Sequence, residues 1–282
     1  MRPLLLAFSS LAAAGLAAQS APAIHVEVRG AGAPTLLLPG FATPAASLAP
    51  VADSLGGGRA YYFVDYAGTD GLAPVDTPFY AQVRDALVAY VEEADLRDVD
   101  VVGHSMGGNL AVELAAALPE RVAHVAIIDA LPCMRAVMMP GVPASAIRYD
   151  APQTVAMLAM DSASVAGANA QMAAGMTSAP ERQARLATWL NAADRRTFVL
   201  GYTDLLRLDL RPLLPRVAAP VTVLASPSFG AEVVRENMTA QYAGLADADL
   251  HVAPAGGHYL VWDAPAWTAA RLREALTEGA RP

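Results

Sequence analysis

The stretch Gly103-His104-Ser105-Met106-Gly107-Gly108 places a serine between small residues, where an apolar run ends and a helical pattern begins. Val99, Val101 and Val102 precede it as a buried strand would, and Asn109 to Leu118 follow as a helix that Pro119 stops. Strand, G-x-S-x-G, helix is the setting of a nucleophile elbow, a sharp turn that lifts the serine hydroxyl out of the sheet. Such a hydroxyl is a weak nucleophile until a base takes its proton. Of the five histidines, His104 lies inside the elbow and points elsewhere. His25, His124 and His251 lie in or beside strand-like runs, where a structural role is the expectation. His258 stands after Gly256-Gly257, beyond the last apolar run and free to reach Ser105, and is the expected general base.

Other chemistries find little support. All nineteen basic residues are Arg, which removes Ser-Lys dyads, Schiff-base chemistry and the P-loop. There is no His/Cys cluster at ligand spacing, no H-E-x-x-H and no G-x-G-x-x-G, so neither a metal nor a cofactor is expected. A net charge of −8 with no basic run argues against nucleic acid or an anionic membrane as partner.

The elements that must hold Ser105 and His258 alternate along the chain. Ile24–Val28 alternates apolar and polar residues as a half-exposed edge strand does, whereas Thr35–Leu38, Tyr61–Val64, Val122–Ile128 and Val221–Ala225 are continuous apolar runs. Phe79, Val83, Ala86, Leu87, Tyr90 and Val91 recur at helical spacing, and Glu232–Leu245 and Pro265–Leu276 read as further helices. Strands alternating with helices imply a mostly parallel sheet covered on both faces, an α/β fold with its chemistry at the carboxyl ends of the strands. Its length of 282 residues suits one such domain.

Two segments depart from that rhythm. Residues 1–20 read as a signal peptide, with Arg2, an apolar stretch from Leu4 to Ala18 and the small-x-small site Ala18-Gln19-Ser20. Cleavage there leaves a domain over 21–282 that is exported, periplasmic or secreted, with no stable membrane anchor. Cys133 is the single cysteine, so no internal disulfide can form and the core must hold the fold. Between Leu131 and about Pro215 no strand-like run occurs. Helical candidates stand near Thr154–Met160, Ser164–Met176, Glu181–Leu190 and Arg195–Leu206, as expected of a helical cap over the active site. Seven of the ten methionines fall in this segment. Most are expected to fill the helical core; Met134, Met138 and Met139, nearest Asp129, are the candidates for an adaptable pocket wall.

With Ser105 on an elbow and His258 after the final strand, the chain resembles the α/β-hydrolases over nearly everything beyond the leader. The resemblance rests on Pro39-Gly40-Phe41, Gly103 to Gly107, Gly257-His258, and Arg211-Pro212-Leu213-Leu214 leading into Pro220 to Leu224. It implies a catalytic acid, which many members place after the strand equivalent to Val221–Ala225. Here that loop reads Ser226-Pro227-Ser228-Phe229-Gly230, with no carboxylate before Glu232. Another arrangement in the family sets the acid at the end of the strand following the nucleophile helix, where Asp129 stands. Asp129 is therefore the favoured acid and Glu232 the alternative, while Asp263 is expected to cap the last helix. The resemblance also implies an oxyanion hole from the Met106 and Phe41 backbone N–H groups, although Pro39 stands where many relatives have His.

The resulting expectation is a serine hydrolase that cleaves small or medium apolar carboxylic esters through an acyl-enzyme, without a cofactor. The fold hosts other activities. An acyltransferase or perhydrolase, an aminopeptidase-like hydrolase and a non-catalytic binding protein of the same fold remain alternatives, the last opposed by the complete nucleophile–base pair.

Overall fold

A computed structural model describes residues 22–276; the expected signal peptide lies outside the described residues. In chain order the sheet strands are β1 (Ile24–Gly30), β2 (Ala33–Leu38), β3 (Arg59–Tyr66), β4 (Val99–His104), β5 (Val122–Ile128), β6 (Val221–Ala225) and β7 (Ala248–Val252). They form one sheet in the order β1-β3-β2-β4-β5-β6-β7, in which only the β1–β3 pairing is antiparallel. The continuous apolar runs are the central strands because both sheet faces are covered. Side chains alternate between two cores: Leu36, Val101, Ile127 and Val223 enter one, and Leu37, Val102, Ile128 and Leu224 the other.

The helices outside the cap are α1 (Ala49–Leu55), α2 (Phe79–Glu93) and α3 (Met106–Ala117) before it. The cap holds α4 (Met134–Met138), α5 (Pro152–Ala159), α6 (Ser162–Met176), α7 (Pro180–Ala192) and α8 (Arg195–Arg207). After it come α9 (Ala231–Tyr242), α10 (Leu260–Asp263) and α11 (Pro265–Ala275). Helices α2, α3 and α9 deliver Val83, Leu110 and Tyr242 to the first core. Helices α1, α10 and α11 deliver Val51, Leu260 and Leu272 to the second. Each such leucine contributes roughly 1.5–3 kcal/mol through burial.

The insertion between β5 and β6 is helical, as expected, and two of its helices start at carboxylate caps. Asp161 accepts from Ser164 N at 2.8 Å to open α6, and Asp194 from Thr197 N at 2.7 Å to open α8. Buried Arg135 on α4 donates to the carbonyls of Leu206 (2.9 Å) and Arg207 (3.3 Å), so a cation meets the carboxyl end of α8. Gln241 on α9 bonds both backbone groups of Cys133, accepting from its N–H at 3.0 Å and donating to its carbonyl at 3.2 Å. These ties fix α4 between α8 and α9, above the carboxyl end of β5.

Candidate active site

The elbow turns on Ser105 itself, which adopts φ 54° and ψ −120° while its N–H donates to Ile128 O at 2.9 Å. A non-glycine residue held there stores roughly 1–3 kcal/mol of strain, which the surrounding pairings must hold in place. The flanking glycines serve close approach rather than positive φ. A Cβ on Gly103 would lie 2.2 Å from Gly107 O, and one on Gly107 would lie 2.0 Å from Leu38 O. Only glycine lets α3 start this close to β2 and β4. The Ser105 hydroxyl does not cap α3, which leaves it free in the cavity.

Asp129 directly follows β5, also at positive φ, 48°. Both of its carboxylate oxygens are engaged: Oδ2 lies 2.7 Å from His258 Nδ1, and Oδ1 accepts from Ser226 N at 2.7 Å. Burial pushes its pKa up, but the His258 bond, the imidazole's charge and the Ser226 N–H outweigh burial and hold the carboxyl below its ordinary value. Asp129 is thus anionic and oriented toward the imidazole. Glu232 is exposed in the first turn of α9, where a carboxylate suits the helix dipole. Of the two acid candidates, the structure joins Asp129 to His258.

The histidine loop is strapped from two sides. Asp263, expected to cap α11, instead accepts from Gly257 N (2.8 Å), Ser178 N (3.1 Å) and Thr177 Oγ1 (2.6 Å), linking the loop to the α6–α7 junction. Tyr259 N donates to Met176 O at 3.1 Å. From below, His104 Nε2 donates to the His258 carbonyl at 2.9 Å, which leaves Nδ1 unprotonated and buried without a partner. Burial first, then the proximity of His258, lowers the His104 pKa to about 3, so this imidazole stays neutral. Sequence reasoning set His104 aside. Its supporting role depends on the His258 carbonyl arriving from a distant loop, which no local pattern signals. Two of the other histidines are tied elsewhere, His124 to Asp100 at 2.7 Å and His251 to Asp249 at 2.6 Å, while His25 is exposed on β1.

Met106 is the first residue of α3, so its N–H has no partner within the helix. The loop carrying Phe41 is built without the histidine common at position 39. Tyr66 donates its hydroxyl to Pro39 O at 3.2 Å, and Thr43 donates its hydroxyl to Gly40 O at 3.0 Å. The Phe41 ring stacks on Phe198 of α8 with centroids 5.6 Å apart and meets Phe79 edge-on at 5.7 Å. A Cβ on Gly40 would come within 2.9 Å of His104 Nδ1, so glycine lets this loop press on the elbow.

Ser105, Met106, Asp129 and His258 line one cavity of about 600 Å³. Met134 and Met138 line it as well, joined by Val137 on the same short helix and by Leu205 of α8. Met139 does not. Helix α4 ends at Met138, and residue 139 turns to φ −140°, off the face that carries positions 134 and 138. Unforeseen is a further wall, where Phe229 and the α9 residues Val233, Val234 and Met238 line the cavity. Their helical spacing was visible, but the fold alone decides that α9 borders the site. Met157, Met160 and Met172 line a separate cavity of about 400 Å³ within the cap.

A parallel sheet with a strained elbow serine, a carboxylate-bound histidine and a helical insertion defines the α/β hydrolases as a class, and the chain belongs to that family. The alpha/beta hydrolase family model matches residues 35–271. A relative provisionally named carbamate hydrolase RutD, from Azorhizobium caulinodans, is 32% identical over 108 residues, which cover 38% of this chain and 40% of that one. The match thus spans about two fifths of the curated relative's length. An esterase from Exiguobacterium antarcticum superposes with a TM-score of 0.73 at 19% identity, covering 91% of this chain and 98% of its own. The enol-lactonase of Burkholderia xenovorans does so with 0.74 at 18% identity, covering 90% and 96%. At these identities the structural likeness is one of fold.

Proposed function

We propose that this hydrolase cleaves carboxylic esters through an acyl-enzyme on Ser105. The observation that carries the reading is the 2.7 Å bond between His258 Nδ1 and Asp129, on an imidazole that shares its cavity with the elbow serine. With Nδ1–H held by the carboxylate, Nε2 is the basic nitrogen. It takes the proton of Ser105 as the hydroxyl attacks the ester carbonyl, and the oxyanion is met by the Met106 and Phe41 N–H groups. The imidazolium, stabilised by Asp129, then protonates the leaving alcohol. Water repeats the sequence on the acyl-enzyme, with His258 again as base.

In this state no hydrogen bond joins Ser105 Oγ to His258 among the described residues. Catalytic bonds often close only in the substrate complex, so the geometry is compatible with the mechanism. The cavity wall of Leu131, Met134, Leu205, Val234 and Met238 supports small or medium apolar groups on the ester. Carbamates are a second reading, favoured by the match to the RutD-named relative. A series of p-nitrophenyl esters from acetate to octanoate, set beside a p-nitrophenyl carbamate, tests both. Ester turnover that Ser105→Ala abolishes supports the proposal; a carbamate preferred over every ester transfers the activity to the second reading.

The leader over residues 1–20 supports export and cleavage after Ser20. Fractionation of an expressing bacterium, with N-terminal sequencing of the mature chain, checks it: a cytoplasmic chain retaining Met1 refutes export.

A further inference from the structure

Methionine gathers at the site without a task in the mechanism. Four of the ten methionines line the Ser105 cavity: Met106, Met134, Met138 and Met238. They arrive on three separate helices, α3, α4 and α9, so no single stretch of sequence groups them. Met134 and Met138 stand one turn apart on one face of α4. Met134 is half-buried and Met138 is 57% exposed, so both present surface to a ligand, whereas Met106 is almost fully buried. The other apolar walls are aliphatic, and among the described residues the cavity's rings are His258 and, where it opens to solvent, Phe229. A thioether that only fills a gap in a core has neighbours on every side; these border open volume of about 600 Å³.

We propose that Met134, Met138 and Met238 are specificity-determining residues that select esters carrying an aromatic ring close to the reacting carbonyl. The proposal rests on Ser105 chemistry and names the substrate class within it. A methionine sulfur is polarizable and packs favourably about 5 Å from an aromatic ring, often at its edge, where the ring quadrupole is positive. A saturated ring of the same size offers no such edge. The unbranched side chain also shifts to follow a flat ring, which β-branched Val233 and Val234 on α9 cannot do as freely. Met106 directly follows the nucleophile, and Met134 and Met238 share its cavity. A ring one to three carbons from the carbonyl therefore stays among the thioethers, as in an arylacetyl or arylpropionyl ester. The contacts are non-covalent and alter no step of the reaction.

One matched pair of p-nitrophenyl esters tests this: 3-phenylpropionate against 3-cyclohexylpropionate. The ring lies two carbons from the carbonyl in both, so their intrinsic reactivities match and only aromaticity differs. Wild type should favour the phenyl ester by about threefold to tenfold in kcat/KM, the size that one or two sulfur–ring contacts support. Met134→Leu combined with Met238→Leu conserves volume and apolar character and should bring that ratio close to unity. No preference for the phenyl ester in wild type, or one that survives the double substitution, overturns the proposal. Nuclear magnetic resonance of wild type carrying methyl-¹³C methionine gives a readout independent of turnover. Titration with 3-phenylpropionate should move the Met134, Met138 and Met238 methyl signals, each assigned by its leucine variant, upfield through the ring current. 3-Cyclohexylpropionate should not do so, and Met157 and Met160 in the separate cap cavity should stay in place. Unmoved signals up to the ligand's solubility, or shifts at Met157 and Met160 instead, also overturn the proposal. If Ser105→Ala hydrolyses the esters as fast as wild type, the serine mechanism has failed instead. The methyl shifts still decide the proposal in that case, so the two failures are distinguished.

Discussion

Replacing Asp129 by asparagine changes one atom and should remove the base. Both carboxylate oxygens now accept, Oδ1 from Ser226 N and Oδ2 from the His258 side, each at 2.7 Å. The Ser226 N–H can only donate, so the asparagine oxygen must face it and the amide NH2 must face His258 Nδ1. That nitrogen then has to accept, and the ring proton moves to Nε2, where the basic lone pair was. The opposite amide rotamer preserves the tautomer but sets NH2 against a backbone N–H, leaving donors unpaired at a cost of roughly 1–3 kcal/mol. About one molecule in ten to one in a hundred then holds a usable base, since 1.4 kcal/mol is a factor of ten. Loss of the charge that stabilises the imidazolium adds to this, and elsewhere removal of the triad carboxylate's charge costs about 10⁴ in kcat. The expected loss for Asp129→Asn is therefore about 10³–10⁴-fold in kcat on p-nitrophenyl butyrate, with an unchanged circular dichroism spectrum. Glu232→Gln, at the exposed start of α9, should stay within a factor of two or so. A loss below tenfold for Asp129→Asn, or a crippled Glu232→Gln, refutes the reasoning.

Gly107→Ala should fail to give soluble folded protein, because its Cβ would sit 2.0 Å from Leu38 O and the backbone on both sides is fixed by the sheet; a wild-type Tm contradicts this. His104, with its folded pKa lowered to about 3 from 6.5, resists a proton that the unfolded chain accepts. Its contribution to stability is thus complete above pH 6.5 and is lost as pH falls toward about 3, by an amount on the order of 4–5 kcal/mol. Urea titrations between pH 8 and 4 should show a shallower acid loss for His104→Gln, which keeps a donor for the His258 carbonyl; an unchanged slope counts against it. Met138 and Phe229, 57% and 83% exposed, both line the cavity where it opens to solvent. Met138→Ala and Phe229→Ala should raise KM for octanoate more than for acetate, and an equal effect on both esters contradicts their place on the substrate path.

Much of the site was legible because its local rules are strict. A serine between glycines at a strand end and a histidine after the last strand are patterns of residue type and position, and they mark Ser105 and His258 as candidates. Asp129 was legible because the β6–α9 loop offered no carboxylate nearer than Glu232. The four longer cap helices could be placed because the stretch lacks any strand-like run, Pro152 and Pro180 open two of them, and alanine-rich α6 suits a helix. Helix α1 escaped notice inside a Gly-, Ala- and Pro-rich segment with little periodicity. Met139 was grouped with Met134 and Met138 by proximity in sequence, which ignores where a five-residue helix ends. The α9 wall, the Asp263 strap and the His104 bond all join residues far apart in the chain. They depend on which elements the fold makes neighbours, and periodicity carries no such information.

The central claim is that Ser105 is a nucleophile activated by His258. A fluorophosphonate reacts with a serine only when a base takes its proton, so labelling followed by peptide mass mapping tests that claim most directly. Wild type should gain one phosphonyl group, mapped to Ser105, with the rate rising as a single base deprotonates. Ser105→Ala should gain none, and His258→Ala should react at least about a hundredfold more slowly. A label on any other residue, or one acquired equally fast without His258, would contradict the account.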